Sequence, residues 1–126
     1  MERDNIKLKL EVQDFNLRID RWQVDQALIN LIKNSRHALV NRENPTIILK
    51  SYMDKTGKYL SVEDNGTGIE TKLLKEVFVP FFTTRDKGSG IGLSLTKQIM
   101  SLHNGRINID SSPGSGTIVT LTFPGV

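Results

Sequence analysis

The β-rich runs of this chain come in pairs, and no other feature of the sequence restricts the fold as much. "NPTIILKSYM" and "KYLSVED" are separated only by the turn signal "DKTGK", so they read as an antiparallel pair; "GRINIDS" and "TIVTLTF" are joined by "SPGSG". Ahead of the first pair stands "IKLKLEV", which alternates as a half-buried strand does, then the periodic run "RWQVDQALINLIKNSRHALVN", with Asp20 as its N-cap. Between the pairs, the pattern predicts a short helix from about Glu70 to Val77, a loop with Pro80, and a second major helix ending near His103. The resulting order of strand, helix, two strands, helices, two strands is not an alternating βαβ chain. It predicts an α/β protein of the two-layer α+β kind. A mixed, largely antiparallel sheet of about five strands is covered on one face by about three helices.

Composition narrows the function classes. A chain of 126 residues, 37% hydrophobic and 25% charged, suits one globular domain over residues 1–126, burying roughly two-thirds of its unfolded surface. Its 17 basic and 14 acidic residues are interspersed, and the net charge of +3 gives no dedicated nucleic-acid surface. Without cysteine there is no disulfide, thiolate metal site or cysteine nucleophile, which fits a reducing compartment. Residues 1–20 mix charges and contain no apolar block, so neither a signal peptide nor membrane contact is expected of this domain.

Three local patterns carry chemistry. On the first helix, Val24, Ala27, Leu28, Leu31, Ile32, Ser35, Ala38 and Leu39 form one core arc, while Asn30, Asn34, His37 and Asn41 form a polar stripe beside it. These are either boundary positions or groups facing a cleft, and a neutral Asn34 oxygen there suits Mg²⁺ already ligated by phosphate and water. "YLSVEDNGTGIE" ends a strand in Asp64 and turns through Gly66 and Gly68 into a helical pattern, so the Asn65-Gly66 hairpin signal has no second arm. A strand-end carboxylate accepts hydrogen bonds only, which suits an exocyclic amine, and the glycines beside it would let a flat ring approach the backbone. Finally, Gly88, Gly90 and Gly92 precede a helix, where bare amides bind anions.

Taken in order, "NLIKNSRHA", "DNGTG", "FVPFFTT", "GSGIGL" and "GSGT" resemble the N, G1, F, G2 and G3 boxes of the catalytic ATP-binding domain of sensor histidine kinases. That domain has the Bergerat fold of a superfamily that includes DNA gyrase, mismatch-repair ATPases and heat-shock chaperones. The resemblance covers nearly the whole chain. It implies ATP and Mg²⁺ as cofactors, with Asn34 on the metal and Asp64 on the adenine amine. Asn30, Gly66, Gly68, Ile69 and Thr117 would border the nucleotide, as would Gly114 and Gly116 of the last box. Phe78, Phe81 and Phe82 match the F box. The segment from Thr83 to Gly90, with Thr84 and Ser89, would be the ATP lid, placing Arg85 and Lys87 near phosphate. Gly88, Gly90, Ile91, Gly92 and Leu93 match the glycine box at the phosphates. Read without the resemblance, the phenylalanines are core and the two basic residues a solvated loop.

One departure within the superfamily bears on mechanism. Hydrolytic relatives carry a glutamate four residues before the magnesium asparagine, and this chain has Asn30 there. An amide is no general base, so the resemblance implies phosphoryl transfer rather than hydrolysis. The acceptor would be a histidine on a separate helical domain of the same parent protein, with a response regulator downstream, and the setting cytoplasmic whether or not the parent is membrane-anchored. His37 and His103 resemble no acceptor motif; they read as a pocket-edge or surface histidine and a helix-end histidine favourable to the dipole. Two alternatives stand beside this reading. One is an anti-sigma-type serine kinase or ATP-binding regulatory module of the same fold. The other is a dinucleotide-binding domain, with "GSGIGL" before a helix and Asp110 ending the next strand.

Overall fold

The structure, a computed structural model, describes residues 5–79 and 93–125. In chain order its elements are β1 (Lys7–Val12), α1 (Arg21–Ala38), β2 (Thr46–Asp54), β3 (Gly57–Asp64), α2 (Thr71–Leu74), α3 (Ser94–Leu102), β4 (Arg106–Ser112) and β5 (Gly116–Phe123). The strands form one sheet of five in the order β1-β2-β3-β5-β4. Among the described residues only β1 and β2 run parallel; the other neighbours are antiparallel. This is the mixed, largely antiparallel sheet that the paired runs predict.

Local chemistry sets the element ends. Asp20 caps α1, its Oδ1 accepting from the Gln23 amide at 3.1 Å. The helix stops at Ala38, short of the Asn41 that periodicity reaches, because Asn41 (φ 64°) and Asn44 (φ 50°) take the left-handed conformation that asparagine tolerates best after glycine. Helix α2 is a single turn, and Glu76 to Val79 continue in turns that leave Val77 wholly buried.

Helices α1 and α3 lie on one face of the sheet, α1 over β3 and β5 and α3 over β4 and β5. Val24, Ala27 and Leu31 of α1 and Ile99 and Met100 of α3 meet Ile47, Val62, Val119, Leu121 and Phe123, whose alternation puts them on that face. Two polar links join the helices. Asn30 Nδ2 donates to Oγ1 of the fully buried Thr96 at 3.1 Å, and the Asp20 amide donates to His103 Nε2 at 2.9 Å. Because Nε2 accepts, Nδ1 carries the proton and donates to the Ile99 carbonyl at 2.8 Å. His103 is therefore a strut between α1 and α3 rather than a charge placed at a helix end.

Two sequence expectations are corrected. Strand β1 is exposed along its whole length, not half-buried, with Leu8, Leu10 and Val12 each more than half accessible. Leu8 and Leu10 pair with Ile47 and Leu49 and so point to the helix-bearing face, but α1 and α3 cover the sheet further in. The dinucleotide alternative also fails. Among the described residues β4, which follows α3, pairs with β5 alone and antiparallel to it, so the strand after α3 is not the parallel strand that such a site needs, and Asp110 is exposed.

Candidate functional site

A cavity opens where the C-terminal half of α1 faces the end of β3 and the start of β5. Leu31, Ile69, Leu93, Ile109 and Val119 make its walls apolar; Asn34, Ser35, His37, Asp64 and Thr117 supply its polar groups. An apolar cleft with a few convergent polar groups is the usual form of a small-molecule site. Leu93 is 1% exposed, and its amide donates to the Val77 carbonyl at 2.6 Å.

Asp64 is the chemically distinctive group, only 7% exposed at the end of β3. Burial raises its pKa above the ordinary carboxylate value, and it outweighs the hydrogen bonds from the Gly66 amide, the Ser35 hydroxyl and the Thr117 amide that act the other way. The Gly66 amide lies 2.9 Å from Oδ1. Such a carboxylate is oriented by donors at its back and offers its remaining lone pairs to a ligand donor.

The glycines of the turn serve assembly. At Gly68 (φ +75°) a Cβ would sit 2.0 Å from the Ser112 carbonyl oxygen, and at Gly116 (φ +92°) 2.1 Å from that of Asp64. Gly66 packs the same way, a Cβ there falling 2.6 Å from the Ala38 carbonyl oxygen. Their bare α-carbons let three chain segments close around the cavity, which Gly68 itself lines. Backbone bonds from Thr67 to Ala38 (3.1 Å) and from Gly114 to Thr67 (2.8 Å) complete the junction. Arg42 staples it from outside, donating to the Asn65 and Gly114 carbonyls at 3.3 and 3.2 Å.

Of the residues singled out in the sequence, Asn34, Asp64, Gly68, Ile69, Leu93 and Thr117 line this one cavity, and His37 joins them. Asn30 does not line it and instead ties α1 to α3. Phe78 packs partly buried against the core, with the Lys97 ammonium 5.3 Å from its ring centre. Phe81, Phe82, Thr83, Thr84, Arg85, Lys87, Gly88, Ser89, Gly90, Ile91 and Gly92 lie outside the described residues. Sequence reasoning missed Ser35 and Ser111 as supports of the site, although each is a lone hydroxyl on an otherwise apolar face.

Residues 19–126 match the family described as histidine kinase-, DNA gyrase B-, and HSP90-like ATPase. The chain belongs to that family. Among curated relatives in this ATPase family it is 39% identical over 108 residues to signal transduction histidine-protein kinase AtoS of Escherichia coli (strain K12), covering 86% of this chain and 18% of that one. It is 35% identical over 119 residues to sporulation kinase A of Bacillus subtilis (strain 168), covering 94% and 19%. The chain thus spans about a fifth of the length of these curated relatives. Its structure superposes on the nucleotide-free catalytic domain of histidine kinase ThkA with a TM-score of 0.79 at 34% identity, covering 95% of this chain and 80% of that one. The mycobacterial sensor histidine kinase MprB gives 0.81 at 25%, covering 95% and 82%. This is an ATP-binding catalytic domain of the histidine-kinase type.

The described residues gather no group of three or more His, Asp or Glu side chains able to hold a metal ion. They do fit an ion that arrives with its nucleotide, because Mg²⁺ keeps several waters and phosphate oxygens and needs few protein ligands. The cavity wall includes one neutral amide oxygen of that kind, on Asn34.

Proposed function

We propose that this domain binds Mg–ATP with the adenine amine on Asp64 and transfers the γ-phosphate to a histidine on a separate helical domain of its parent protein, in two-component signalling with a response regulator downstream. The observation that carries the reading is Asp64, a buried carboxylate held by three donors in an apolar cleft that Asn34 also lines. Asn34 would hold Mg²⁺, which neutralises phosphate charge when bound. Among the described residues no side chain caps the first turn of α3, which supports a phosphate lying against its amides. Arg85 and Lys87 are proposed to lie near the transferred group, on the strength of the family pattern.

In the transfer, an acceptor imidazole nitrogen forms a bond to the γ-phosphorus as the bond to the β–γ bridging oxygen breaks, and ADP leaves with that electron pair. This domain contributes position and charge rather than a base. Asn30 stands one turn before Asn34 and donates to Thr96 at 3.1 Å. Its amide cannot deprotonate water, which disfavours hydrolysis. Titration calorimetry with ATP, ADP and NAD, with and without Mg²⁺, tests the binding half. Tight Mg²⁺-dependent ATP binding and no NAD binding is the expected outcome; NAD binding in preference to ATP would contradict it.

A further inference from the structure

The Ser111 hydroxyl sits at the centre of a network behind the cavity. It accepts from the Ile69 amide at 2.8 Å, donates to the Gly116 carbonyl at 2.9 Å and lies 2.8 Å from Thr117 Oγ1. A serine hydroxyl has one proton and two lone pairs. An amide can only donate and a carbonyl only accept, so the proton goes to Gly116 and one lone pair to Ile69. What remains at Ser111 is a lone pair, and Thr117 meets it by donating its own proton. Thr117 Oγ1 then has only lone pairs to show to the cavity.

Thr117 pairs with Asp64 across β3 and β5, and both side chains line the cavity. The floor of the site therefore presents two acceptors and no hydroxyl donor. We propose that Ser111 determines base specificity: by consuming the Thr117 proton it fixes Thr117 as an acceptor beside Asp64, so the pocket admits a base with an exocyclic amine and rejects one with a carbonyl in its place. This rests on the adenine reading of Asp64 and extends it to a residue outside the ligand's contact. Ser111 is a positioning residue, acting through Thr117. The rejection is of the stronger kind, since a misplaced carbonyl would leave buried acceptors facing each other.

The test compares ATP with ITP, in which a carbonyl replaces the exocyclic amine and the neighbouring ring nitrogen carries a proton, and with the triphosphate of unsubstituted purine riboside, which lacks the amine and keeps that nitrogen bare, by titration calorimetry on the full chain. Wild type should prefer ATP. In Ser111→Ala the Thr117 proton is released to turn toward the ligand, and the ITP-to-ATP ratio of dissociation constants should narrow about tenfold, the worth of a buried polar group left unmatched. Ser111→Thr, which keeps the hydroxyl, should restore the ratio. Thr117→Val should narrow it too, and Ser111→Ala added to Thr117→Val should narrow it no further. A merely structural role for Ser111 would weaken both nucleotides in parallel, and that result would overturn the proposal. So would an unchanged ratio in Thr117→Val, a readout that stands if Ser111→Ala does not fold. A wild type that binds ATP and ITP equally would overturn the adenine reading as well, whereas a discriminating wild type with an equally discriminating Ser111→Ala overturns this inference alone.

Discussion

Asp64 is under two opposed demands, because the charge proposed to serve a ligand is a charge the fold must bury. Its raised pKa means that the folded state holds the proton more readily than the unfolded chain. The stabilising contribution is fully present below the ordinary carboxylate value and is lost as pH rises through the raised folded value. Asp64→Asn, neutral throughout, is therefore expected to melt at or above wild type at neutral pH, with the difference closing in acid. The same substitution should weaken ATP binding by about 1.5 to 3 kcal/mol, tenfold to hundredfold, the worth of a charge-assisted hydrogen bond. Melting curves across pH together with ATP titration check both halves, and unchanged ATP affinity would remove adenine from this residue. For Asn34→Ala the expected loss is specific: ATP binding becomes nearly indifferent to Mg²⁺ while most of the adenine contribution stays, as titrations with and without the ion would reveal. Gly68 and Gly114 both have positive φ, but a Cβ meets the Ser112 carbonyl at Gly68 and nothing within 4 Å at Gly114. Gly114→Ala should cost about 1 kcal/mol of backbone strain and Gly68→Ala clearly more, read by denaturant unfolding. Equal costs would mean that the junction relaxes freely around Gly68. That Asp64 and Asn34 line a cavity is legible in the sequence, because each breaks an apolar pattern at the end or edge of an element. Ser35 and Ser111 break such patterns as well, but their role depends on which loop folds back over them, and no spacing in the sequence encodes that.

At the scale of elements, periodicity predicts burial where a helix or strand has one covered face and fails where it has none. The arc on α1 and the alternation of β5 place Val24, Leu31, Val119 and Leu121 in the core as expected. Strand β1 alternates just as clearly and yet is exposed, because alternation tells which residues share a face and not whether a second layer reaches it. The strut between α1 and α3 is also tertiary. His103 was legible as a helix-end residue, but its acceptor role toward the Asp20 amide joins positions 83 apart in sequence. His103→Ala should destabilise the domain by about 1 to 3 kcal/mol, since the Asp20 amide and Ile99 carbonyl both lose a partner. Urea unfolding measures it, and a variant within a few tenths of wild type would show that water replaces the ring at no cost.

At the scale of the whole molecule, the sheet order β1-β2-β3-β5-β4 brings residues from α1, β3, β5 and the start of α3 to one cleft. The proposed nucleotide site thus has no general base at position 30, and neither His37 nor His103 resembles an acceptor motif. Positioning and charge stabilisation carry most of phosphoryl transfer, so a correctly held γ-phosphate stays reactive toward an acceptor brought into line with it. The measurement that tests this most directly incubates the chain with Mg²⁺ and γ-labelled ATP, alone and with the helical histidine domain of its parent, and follows both free phosphate and protein-bound label. The account predicts very slow hydrolysis and no self-labelling by the chain alone, then acid-labile, base-stable label on the added domain. Rapid phosphate release by the chain alone, or acid-stable label on a serine of the partner, would contradict it.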